Sequence, residues 1–209
     1  MRVIVFSYPS EPHARRHGPV GYKDYTTYKP WLRDEFKFRC VYCLEREVWY
    51  PDGEASFSAD HVVPQSEDDT RVNDYTNLIY ACTRCNSYRR QIKTLDPTKV
   101  ALGKHLKLEA DGTLTSLTND GKKLIKLLHL NEGKAMKTRQ KYLRRARVCA
   151  EYAGDAQIDA MFEEDFGFPA ELPDLRPLQP EDNTIKGSEH TCYFVTHANG
   201  DLPQVYDLP

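Results

Sequence analysis

No stretch of this 209-residue chain is apolar for long enough to suggest a membrane span. The longest apolar run near the start, "VIVF", is too short for a signal-peptide core and no small-residue cleavage site follows it, so it reads as a strand and the chain is expected in the cytoplasm. Neither an internal repeat nor a low-complexity tract is present, which excludes solenoid and collagen-like architectures. One-signed charge is also missing, since the formal net charge is −2. That average hides a polarity: Lys122 to Arg147 carries ten Lys or Arg against one Glu, whereas Asp155 to Asp182 is dominated by acids. A basic helical stretch tracks phosphates through its local potential, although a solvated helix face reads the same way. With 40% hydrophobic and 29% charged residues the composition is that of one folded, water-facing body.

Cysteine is scarce, and its placement is informative. Four of the six fall in two pairs, Cys40/Cys43 in "CVYC" and Cys82/Cys85 in "CTRC", while Cys149 and Cys192 stand alone and are assigned to packing. Two C-x-x-C units a few tens of residues apart have the spacing of a four-thiolate zinc site, because each short loop can turn both sulfurs toward one ion. The thioredoxin-like context that a redox reading would need is absent from both.

Periodicity gives a coarse map. Residues 1–8 read as a strand, followed by a turn-rich connector. "YKPWLRDEFKFRC" reads as a helix with Pro30 in its first turn. "EREVWYPDGEASFSADHVVP" reads as two strands about a Pro-Asp-Gly turn, "NLIYAC" as a strand, and "TRCNSYRRQIKTL" as a helix running to Asp96-Pro97. A hairpin about Asp111-Gly112, two helices of which the second is strongly basic, and a last helix over "AQIDAMFEEDF" follow. The Pro-rich, acidic segment beyond reads as a linker or wrapping arm, and a strand pair about Asn199-Gly200 is expected at the end. The expected division is 1–29 strand and connector, 30–95 core with the zinc site, 96–154 hairpin and basic helices, and 155–209 extension.

In order, and within fewer than fifty positions, the chain carries "CVYC", "ADHVVP", "TNLIYAC" and "CTRCN". This set resembles the HNH endonuclease family, in the subgroup whose ββα-metal element is clamped by a four-cysteine zinc; the flanks more loosely resemble small standalone HNH proteins of bacterial defence and mobile systems. The resemblance implies an α+β fold, a treble-clef-like ββα-metal core with zinc knuckles inside a mainly helical surround. It implies His61 as general base, Asp60 and Asn86 as ligands of a catalytic divalent ion, and Asn77 as the residue that orients the base. Imidazole suits a proton acceptor near cellular pH, and the oxygen ligands suit magnesium or manganese. Asn77 is expected to accept the ring N–H of His61 through its side-chain carbonyl and so to fix the tautomer. Asn86 stands where the family name has a histidine, which weakens selection for softer metals. The four thiolates are expected to hold a separate structural zinc.

Arg84, Arg89, Arg90 and Lys93 are candidates for phosphate contact, with surface solvation as the competing reading. Glu67, Asp68 and Asp69 read as a solvated loop. The implied activity is DNA cleavage that leaves a 5′-phosphate and a 3′-hydroxyl. The alternatives are a catalytically silent zinc-stabilised nucleic-acid- or protein-binding module, and an RNA-directed nuclease of the same fold. With no sequence-reading helix or ATPase motif in view, target choice is expected to fall to a protein partner such as an ATPase, with the segment after Asp155 as a docking or restraining element.

Overall fold

Two consecutive positive-φ residues, Lys37 and Phe38, both at φ 54°, end the first helix and turn the chain into the first cysteine knuckle. A computed structural model describes residues 6–202, and among them the architecture is α+β, with six short strands, six α-helices and several 3-10 turns. The strands pair two by two, all antiparallel: β1 (Pro19–Val20) with β6 (Asp182–Asn183), β2 (Phe57–His61) with β3 (Leu78–Cys82), and β4 (Leu106–Leu108) with β5 (Leu114–Ser116). The helices are α1 (Lys29–Glu35), α2 (Thr83–Arg89), α3 (Asn119–Leu127), α4 (Gly133–Glu151), α5 (Ala156–Phe166) and α6 (Tyr193–Ala198).

The β2–β3 hairpin is the centre of the core. α1 starts with Pro at its first turn and buries Trp31 and Leu32. Its two acidic residues are buried as well. Asp34 accepts from His17 Nε2 at 2.7 Å and from the Tyr193 N–H at 2.7 Å; Glu35 meets His13 Nε2 at 2.5 Å, the Arg16 and His17 N–H groups and the Tyr75 hydroxyl. The turn-rich connector, which has no periodicity of its own, is therefore held by two buried carboxylates. Burial alone would raise the Glu35 pKa, but His13 and the Arg16 N–H hold it below the ordinary carboxylate value.

Three sequence expectations are corrected. No strand forms over "EREVWY"; a 3-10 turn at Glu47–Trp49 replaces it, because Glu47 turns inward to Arg33 and to the Tyr80 hydroxyl. That turn also sends Trp49 to the helices, stacked on Tyr142 at 3.9 Å and donating to the Asp165 carbonyl. α2 stops at Arg89 instead of reaching Asp96, since Arg90 adopts φ 52°, ψ −125°. The expected terminal strand pair is absent over the described residues, where α6 forms; residues 203–209 lie outside them. The expected strand over residues 1–8 lies mostly outside them too, and Phe6 and Tyr8 are buried without strand structure.

The acidic segment packs against the core. Phe166, Leu175 and Cys192 are in the main core, and the Phe166 carbonyl accepts from Arg46. β6 pairs with the connector strand β1, so the arm is part of the fold. No helix among the described residues is long and apolar enough to cross a membrane.

Candidate active site and metal centre

The first knuckle is closed by backbone: the Leu44 N–H donates to the Cys40 carbonyl at 3.0 Å and the Cys40 N–H to the Glu45 carbonyl at 2.9 Å, with Leu44 itself at φ 62°. The second knuckle uses the end of β3 and the first turn of α2, so Cys82 and Cys85 are placed by a strand-to-helix junction. All four cysteines are free and buried, and their sulfurs lie within 4.8 Å of one another. Cys43 Sγ and Cys82 Sγ are 3.7 Å apart. A tetrahedron with Zn–S bonds of about 2.3 Å has edges of about 3.8 Å, so the residues fit a closed zinc site.

Arg84 lies in the second knuckle, between Cys82 and Cys85. Its Nη2 pairs with Glu45 Oε1 at 2.9 Å, while its buried Nε and Nη1 find no oxygen or nitrogen partner among the described residues. Burial alone would lower the guanidinium pKa; the charges of Cys43, Glu45 and Cys85 raise it instead. Arg84, a candidate for phosphate contact in the sequence, is thus held by Glu45, the residue two after Cys43. Cys149 and Cys192 are buried away from the four-sulfur cluster.

β2 pairs with β3 so that Asp60 faces Ile79 and His61 faces Leu78. Neighbouring residues of a strand point to opposite faces, and this decides the layout of the site. Ser58 and Asp60 face α2: Asn86 Nδ2 donates to Ser58 Oγ at 3.0 Å, and Arg89 Nε donates to Asp60 Oδ2 at 2.7 Å. Arg89 Nη2 completes the fork on Asp60 Oδ1 and also donates to the His61 carbonyl. Both side chains of the pair are almost fully buried. Burial raises the Asp60 pKa even with the guanidinium against it.

His61 turns to the other side. Its Nε2–H donates to the Val72 carbonyl at 2.9 Å, the Tyr25 ring packs edge-on at 4.6 Å, and Nδ1 faces the Gln65 amide at 3.5 Å. The tautomer is thereby fixed with the lone pair on Nδ1.

Asn77 makes no hydrogen bond to the His61 side chain among the described residues. Its Oδ1 accepts the Val63 N–H at 2.9 Å and its Nδ2 donates to the Val63 and Arg71 carbonyls, so its expected bond to the imidazole is corrected to one through Val72. It pins the loop on both sides: Val63 follows His61 by two residues, and Arg71 precedes the carbonyl that holds the ring. Val72 contributes a backbone atom and Tyr25 lies far upstream, so neither had a sequence signal. The Arg89–Asp60 pair did have one, since Arg89 lies three residues after Asn86 and so shares its helix face.

As arranged, these residues do not fit a catalytic divalent ion. Both Asp60 oxygens are engaged by Arg89; Asn86 donates to Ser58 through Nδ2, which leaves its Oδ1 as the one open ligand oxygen, too few to hold the ion. Among the expected phosphate contacts, Arg89 is buried in this pair, Lys93 forms an exposed pair with Glu67, and Arg90 is exposed. Asp68 accepts from the Thr70 N–H, as a loop-capping residue does.

No curated protein and no solved structure matches the chain. Residues 40–90 do match the family model described as HNH endonuclease, a span that runs from the first thiolate to the residue after α2 and contains Asp60, His61, Asn77 and Asn86. Over that span, the chain carries an HNH endonuclease domain.

Proposed function

We propose that the protein is an endonuclease that hydrolyses DNA phosphodiester bonds, with His61 as general base. The observation that carries this reading is the imidazole held by the Val72 carbonyl within a segment that matches the HNH endonuclease family. Nδ1 takes the proton of an attacking water, and the carbonyl stabilises the N–H on the far side of the ring as positive charge develops. Asn77 acts as a positioning residue by fixing the loop that supplies this carbonyl. No step is assigned to a divalent ion, because Arg89 occupies the carboxylate that would hold it. The loose resemblance to standalone defence nucleases supports an effector role in such a system, with a protein partner such as an ATPase choosing the target.

One observation favours a second reading. The Asp60–Arg89 pair leaves no open carboxylate, as expected of a silent nucleic-acid-binding module. The deciding experiment incubates the purified protein and His61→Ala with plasmid DNA and with RNA, with and without magnesium or manganese. Cleavage by the wild type alone supports the proposal, and the substrate cut identifies the nucleic acid. Equal cleavage by both defeats the assignment of His61, and binding without cleavage by the wild type selects the silent module.

A further inference from the structure

Where α2 stops, the chain leaves a groove. Arg90 carries a full side chain at φ 52°, ψ −125°, a backbone region that glycine favours, and the next residues run irregularly beside α3. Strain of this kind points to a role for the side chain it places. The space between the two walls is about 1020 Å³. One wall presents Tyr88, Arg90 and Lys93, the other Lys123, Lys126 and His129.

Three features define what would fill it. First, an aromatic surface is open to water: Tyr88 is 44% exposed and its ring lies 4.6 Å from that of His129, with Ile92, 51% exposed, beside it. Second, the lining holds four Lys or Arg against two carboxylates, Asp120 and Glu132. Arg90 and Lys126 make no ion pair among the described residues. Lys93 and Lys123 are in exposed pairs with Glu67 and Asp120, which cost little to exchange for phosphate. Third, the groove adjoins the loop after His61, because Ser66 Oγ donates to Gln91 Oε1 at 3.1 Å and Lys93 reaches Glu67 at 2.8 Å.

We propose that this groove binds single-stranded nucleic acid, with a base stacked on Tyr88 and the backbone phosphates held by Arg90, Lys93, Lys123 and Lys126. A duplex keeps its base faces inside the stack, so an exposed ring among cations is suited to an unpaired strand. The inference rests on the nuclease reading for its purpose, that of leading a strand toward His61, but not for its test.

The test measures fluorescence anisotropy of labelled oligonucleotides (single-stranded DNA, single-stranded RNA and the DNA duplex) on the full chain carrying His61→Ala, so that cleavage does not intervene. Single strands should bind more tightly than the duplex. Tyr88→Ala should weaken them about tenfold or more while Tyr88→Phe retains binding, in line with the energy of one stacked base. Lys123→Ala with Lys126→Ala should lower the slope of log K against log salt by about 1.4, from about 0.7 per phosphate contact. Circular dichroism and zinc content show that each variant is folded.

Unchanged affinity in folded Tyr88→Ala, a preference for duplex, or no binding of any oligonucleotide overturns the proposal; so does a groove that takes a protein instead. Cleavage by the otherwise wild-type chain with binding indifferent to Tyr88 refutes the groove and leaves the nuclease reading standing. Tyr88-dependent binding without cleavage does the reverse.

Discussion

The Arg89 guanidinium forks across the Asp60 carboxylate and reaches on to the His61 carbonyl, tying α2 to the last two residues of β2. Removing one member of a buried pair strands the other, so Arg89→Ala should cost about 3–5 kcal/mol. Replacing both, as Asp60→Asn with Arg89→Met, should cost less than the sum of the single changes, because neither substitution then leaves a buried charge unmatched. Urea denaturation of the four proteins measures this; additive costs would show that the two side chains are not coupled.

Asn77 satisfies three backbone groups of the loop that carries the Val72 carbonyl. Asn77→Ala should destabilise the protein by about 1–3 kcal/mol through those unsatisfied groups. If cleavage is present, kcat should fall while KM changes little, because the base is misplaced and no substrate contact is lost. A selective rise in KM would instead place Asn77 against the substrate.

The four-sulfur cluster predicts one zinc per chain by elemental analysis of the purified protein. Cys40→Ser and Cys82→Ser should lose the metal and unfold, since structural zinc contributes about 10–16 kcal/mol in small zinc-dependent folds. Cys149→Ser and Cys192→Ser should keep it. A stable, metal-free Cys82→Ser protein would show that the thiolates hold no structural ion.

Glu35 gives the protein an acid-sensitive anchor. Its folded pKa lies below the ordinary value, so its contribution to stability is complete above the unfolded carboxylate pKa of about 4.3 and is lost as pH falls through the folded pKa. Glu35→Gln should be less stable at neutral pH and should show a shallower loss of stability in acid. Denaturation midpoints between neutral pH and the acid range measure both; parallel curves would remove Glu35 as a cause.

What the sequence made legible follows a physical division. The thiolate spacing, strands β2 and β3 and helices α1, α3, α4 and α5 rest on local patterns, and local patterns can be read from a chain. Side-chain partnerships across the fold could not be. Glu47 and Trp49 turn a strand-like run into a 3-10 turn because Arg33, Tyr80 and Tyr142 come from elsewhere. Asp60 looked like an open ligand because the helix-face spacing that places Arg89 beside Asn86 does not say which carboxylate of another element it meets, and Asn77 looked like the partner of His61 because a backbone carbonyl leaves no trace in sequence.

The segment after residue 154 makes the sharpest case, because its acidic, Pro-rich composition reads as either a linker or a wrapping arm. Its contacts are those of an arm bound to the core: Phe166, Leu175 and Cys192 are almost fully buried, Arg145 pairs with Asp165, and the Tyr193 N–H donates to the buried Asp34. Each large apolar side chain removed forfeits about 1.5–3 kcal/mol, and Trp49 and Tyr142 would lose their cover besides. Against a typical total stability of about 5–15 kcal/mol, truncation at residue 154 should leave an unfolded or aggregated chain and not a more active one. Size-exclusion chromatography and near-ultraviolet circular dichroism of the truncated protein decide it: a monodisperse chain with native aromatic signal would return the segment to the status of an appendage.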